Sequence, residues 1–125
     1  TDQKNSLTVC LDNILRHAGI TRNTEYDLAQ GKTAIQILEE NMTGVQVLDL
    51  SGCSLDAVLY YVNQDIPVLA ILEDGEAVLV TGFNEFNVVI MEPSTGKLYK
   101  KGMNDATTWF AENGNHFISY MKIDN

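Results

Sequence analysis

Basic side chains are scarce in this chain: eight Lys and Arg stand against 17 Asp and Glu, for a formal net charge of −9. Phosphate backbones are held by clustered cations, so this deficit excludes nucleic acid as the expected partner and disfavours anionic membranes. Long apolar runs are also missing. None approaches the roughly 20 residues that span a bilayer, and no charged-then-apolar leader precedes the first helix signal, so no membrane insertion is expected. The two cysteines, Cys10 and Cys53, are too few for a disulfide framework, and an oxidised pair between them needs side chains that meet. No two histidines or cysteines share a ligand spacing, so no metal is expected, and no cofactor is expected either. Repeats and low-complexity stretches are absent.

What is present is a core-forming composition. Across 125 residues, 45% are apolar, enough for one compact domain and too little for two independent cores, so a single domain over residues 1–125 is expected. The chain opens at Thr1 on polar residues, which reads as a domain cut from a longer or processed protein.

Thr8 precedes a helix from Cys10 to Ala18, with Cys10, Leu11, Ile14, Leu15 and Ala18 at helical spacing and Gly19 as its stop. Cys10 is thereby expected in the first turn, where free N–H groups and the helix dipole favour a thiolate. Asn23 to Gly31 reads as a turn or short helix, and Thr33 to Met42 as a helix ended by Gly44. Val45 to Leu50 forms a short strand, and Ser54 to Val62 an amphipathic helix. Beyond Pro67 the pattern turns to strands: Val68–Leu72, Ala77–Thr81, Val88–Met91 and Leu98–Lys100. Asp74-Gly75 predicts a two-residue hairpin turn with positive φ at both positions. A short helix over Asp105–Glu112 and a final strand over Phe117–Ile123 complete the chain. Helices first and antiparallel strands afterwards predict an α+β domain with the first helix packed on a sheet.

The order of a glutamine, a cysteine heading an apolar helix, "IPVLAIL", "EAVLVTGF" and "VVIMEPSTG" resembles the double-glycine, bacteriocin-processing family of papain-like cysteine peptidases, over nearly the whole chain. The resemblance implies a papain-like fold, N-terminal helices on an antiparallel sheet, a bacterial origin and an extracellular or cell-surface location, with a cytoplasmic one left open. It also implies site positions. Gln3, seven residues before Cys10, matches the oxyanion-stabilising glutamine, and Cys10 matches the nucleophile. The histidine that opens a strand in the family's "HAVVVTGY"-like segment has become Glu76, and the aspartate before proline has become Glu92, ahead of Pro93. The family's glycine after the cysteine is replaced by Leu11.

A cysteine peptidase needs a thiolate, an imidazole to carry the proton, a group to orient that imidazole and oxyanion donors. Glu76 cannot replace the imidazole: its negative charge opposes a thiolate and, ionised, it offers no proton to a leaving amine. His17 lies seven residues beyond Cys10, roughly 10 Å along a helix axis, and His116 opens the last strand. Three readings follow. A degenerate peptidase-like domain recognises a peptide or protein segment; an active cysteine peptidase pairs Cys10 with an unconventional base such as His116; or a scaffold positions its neighbours. Beside them stand plain structural roles: Cys10 as a buried hydrophobe, Cys53 as a residue near a helix start, Gln3 in a polar terminus, Glu92 as a turn former, Glu76 as a solvated strand end and Trp109-Phe110 as a core contact.

Overall fold

The computed structural model describes residues 5–123. In chain order the elements are α1 (Ser6–His17), α2 (Glu25–Ala29), α3 (Ala34–Asn41), β1 (Val45–Asp49), α4 (Leu55–Val62), β2 (Val68–Ile71), β3 (Ala77–Phe83), β4 (Asn87–Met91), β5 (Leu98–Gly102), α5 (Met103–Glu112) and β6 (His116–Lys122). The six strands form one sheet in the order β1-β6-β2-β3-β4-β5, each neighbouring pair antiparallel. The expected α+β class holds, and α1 packs across β2 and β3.

Both faces of the sheet are covered, and the strand sequences say why. Successive side chains point to opposite faces. In β2, Leu69 joins the cluster beneath α1 and α3, while Val68 and Ala70 join the cluster beneath α4 and α5. The same alternation sends Leu79 to the first face and Val78 and Val80 to the second. The helix predicted over Ser54–Val62 therefore does not join α1, but pairs with α5 on the far side, where Phe110 and Phe117 meet at a centroid distance of 5.3 Å. Cys10 and Cys53 are assigned to different faces by their clusters, and both thiols are free, so the conceivable disulfide is not made.

Two local expectations need correction. Helix α1 begins four residues before Cys10, because the Asn5 side chain accepts from Leu7 N–H at 2.7 Å and caps the helix in place of Thr8. The β2–β3 hairpin is a three-residue loop rather than a two-residue turn: Leu72 N–H bonds to Glu76 O at 2.7 Å, and only Gly75, at φ 87°, takes the left-handed conformation. Between α1 and α3, Asp12 Oδ1 accepts from both the N–H and the hydroxyl of Thr24 at 2.9 Å, and Arg22 grips the buried carboxylate of Asp27 at 2.9 and 3.1 Å. The Asp12 bonds anchor the segment to α1, and the Arg22–Asp27 pair braces that segment internally.

Because α1 is positioned by its apolar face, Leu11→Ala should destabilise the protein by about 2–5 kcal/mol in chemical denaturation, whereas Leu98→Ala, at a side chain 62% exposed, should change stability by less than about 0.5 kcal/mol.

Candidate active-site cleft

The N-terminal end of α1 lies over the start of β3, and Ser6 makes the join. Its hydroxyl donates to Glu76 Oε2 at 2.7 Å and accepts from the backbone N–H of Ala77 at 2.8 Å. Glu76 is exposed, Ser6 half-buried, and the Asp74 carboxylate fixes the approach to the strand by accepting from Glu76 N–H at 2.9 Å. The group of α1 that faces position 76 is thus a hydroxyl.

Cys10 sits one turn further along, about 6 Å down the axis, in the second turn rather than the first. It is 0% exposed and packed in the cluster of Leu11, Ile14, Leu79 and Met91. Burial, aided by the negative charge of Glu92, pushes its thiol up to about 12. The expected helix-dipole activation is therefore overturned: the thiol is beyond the first turn, where the dipole acts, and desolvation of the thiolate wins.

Glu92 stands at the end of β4 in the β4–β5 turn. Its Oε1 accepts from the N–H and hydroxyl of Ser94 at 3.2 and 3.1 Å, and its carbonyl accepts from Gly96 N–H at 2.7 Å. Its carboxylate orients the turn, and its charge reaches Cys10. Gln3 lies outside the described residues.

Neither imidazole is placed to serve Cys10. His17 is the last residue of α1, and its Nε2–H donates to Asp65 O at 2.8 Å. His116 begins β6 and pairs with Ile71, which in turn pairs with Ala77. Two strand spacings, about 10 Å, separate His116 from Ala77. Its near neighbour is Asp49, whose carboxyl is held below its usual range mainly by hydrogen bonds from Ser51 and further by the charge of His116. Between His116 and the β2–β3 loop runs an open groove of about 590 Å³, with Ile71 and Ile118 on its floor and Ser51, Glu73 and Gly75 along its rim.

Ser6 is the residue that sequence reasoning passed over. The signal was Asn5 as a cap, followed by Leu7, Leu11 and Ile14 at helical spacing, which starts the helix one turn earlier than the run from Cys10. Among the described residues, no group of three or more His, Cys, Asp or Glu is placed to hold a metal ion, and no helix is long and apolar enough to cross a membrane.

The buried thiol sets a pH dependence. A folded-state value raised above the unfolded one, about 8.5, means that the protonated thiol's contribution to stability is complete below that pH and is lost as pH rises toward 12. Alkylation of Cys10 in the native protein should stay slow up to about pH 10, with half-buried Cys53 reacting first. Site-resolved mass spectrometry across pH checks both.

No protein-family model and no curated protein matches the sequence. Among solved structures, the chain is similar to a Bacillus anthracis protein assigned only by name as a C39-like peptidase, with a TM-score of 0.80 at 16% identity over 98% of this chain and 91% of that one. The chain has the fold of that C39-like peptidase structure, with five helices and a six-stranded antiparallel sheet among its described residues.

Proposed function

We propose that this chain is a catalytically degenerate papain-like peptidase domain that recognises a peptide or protein segment instead of cutting it. The observation that carries the reading is the hydrogen bond between Glu76 and Ser6, in the place where the resemblance puts a histidine and where a peptidase would need a proton carrier. A carboxylate there opposes a thiolate and, ionised, brings no proton to a leaving amine. Of the two histidines, His17 is bonded to Asp65 and His116 lies two strands from the start of β3.

The groove beside this corner supports recognition over a purely structural role, since the described residues leave it open. Its apolar floor suits one aliphatic or aromatic side chain. Its rim, with Glu73 and the nearby Asp74 and Glu76, suits a flanking lysine or arginine. The segment is then a short basic and apolar peptide, consistent with a chain of net charge −9.

The test is a pool of random peptides added to isotope-labelled protein, read by NMR and by mass spectrometry of the pool. Bound peptides should shift the amides of Ile71, Gly75 and His116 and remain uncut. Cleavage that disappears in Cys10→Ala would establish an active enzyme instead, and the absence of any binding would leave the scaffold role.

A further inference from the structure

We infer that Ser6, not Cys10, stands in the nucleophile position of this cleft, so that the site has been altered at two facing residues, the nucleophile and its base. The inference rests on the reading of the chain as a degenerate peptidase and locates where the degeneracy lies.

Nucleophile and base have to lie within hydrogen-bond reach, about 2.6–3.2 Å, for a proton to pass between them. Ser6 meets this condition with position 76 at 2.7 Å. It is the half-buried first residue of α1, and its oxygen is also held by Ala77 N–H. Among the described residues, Ser6 and Glu76 together mark the N-terminal end of the helix, where α1 meets β3. Cys10 has none of these properties: it is sealed in the core among aliphatic side chains, a turn below the surface.

The pair that replaces thiol and imidazole is inert for a chemical reason. An alkyl hydroxyl is a far weaker acid than a thiol, and a carboxylate is a poorer proton acceptor than an imidazole, so the proton stays on Ser6. What remains is a structural bond. The Ser6 bridge ties the start of α1 to β3 and holds the cleft in the spacing that a reactive pair would require.

The experiment installs that pair. Ser6→Cys and Ser6→Cys/Glu76→His proteins are alkylated with iodoacetamide at pH 6, and each site is followed by mass spectrometry, with Cys10 and Cys53 as internal references. The thiol introduced at position 6 should react at least ~10-fold faster when histidine occupies position 76, because an imidazolium partner lowers a thiol toward the range of activated cysteines. Cys10 should stay unreactive in Glu76→His alone. A thiol at position 6 that is indifferent to residue 76, or a Cys10 that becomes reactive in Glu76→His, would overturn the assignment. Should the double variant fail to fold by circular dichroism, Ser6→Cys/Glu76→Gln provides the same comparison: loss of the carboxylate charge should speed alkylation at position 6 relative to Ser6→Cys and leave Cys10 unchanged, and no acceleration would overturn the inference. Peptide cleavage by the unaltered protein would refute the degenerate reading separately, whichever position alkylates.

Discussion

The seating of α1 on the sheet decides everything else about this cleft. Cys10, Leu11, Ile14 and Leu15 are buried against Leu69, Ala77 and Leu79, and their side-chain volumes fix the height and rotation of the helix. The Ser6 bond to Ala77 N–H then fixes its position along β3. With helix and strand locked in that register, which residue of α1 can reach position 76 is no longer free. A one-turn displacement would cost the burial of several aliphatic side chains, far more than a single polar contact could return.

The same packing explains why the thiol in a suggestive sequence position is buried and raised rather than exposed and activated. A helix N-terminus favours a thiolate only within its first turn, and that benefit is smaller than the cost of stripping water from the anion in an aliphatic pocket. Cys10 falls on the wrong side of both conditions, and the nearby Glu92 adds repulsion. Acidic groups dominate the outside of the site as well: Glu73, Asp74 and Glu76 are all exposed along the β2–β3 loop and its exit. The cleft is therefore electrostatically unsuited to a thiolate.

Much of the fold was legible because its signals are local. The apolar runs of β2, β3 and β4, the helix that follows Thr33 and the Gly44 stop all follow from spacing and side-chain chemistry, and the order of these segments carried the resemblance to papain-like peptidases. The side of the sheet on which each helix lands was not legible, since α4 has the same amphipathic pattern whether it faces α1 or α5. The start of α1 was misjudged because Thr8 lies just ahead of the apolar run from Cys10, although Asn5, the stronger capping type, is the residue whose side chain accepts from Leu7 N–H. At the site, Glu76 and Glu92 could be singled out from their place in the sequence, but Ser6 could not: its meaning comes from a contact across 70 positions of chain. His116 likewise had an open destination until strand pairing put Ile71 between it and Ala77.

Amide hydrogen exchange at Ala77 tests the register most directly, since that N–H has Ser6 Oγ as its partner. In Ser6→Ala the Ala77 amide should exchange about 5-fold faster than in the unaltered protein, the equivalent of one ordinary hydrogen bond, while amides at the centre of β3 keep their protection. An Ala77 amide whose exchange is the same with and without the Ser6 hydroxyl would mean that α1 does not meet β3 there, and the account of the cleft built on that contact would fail.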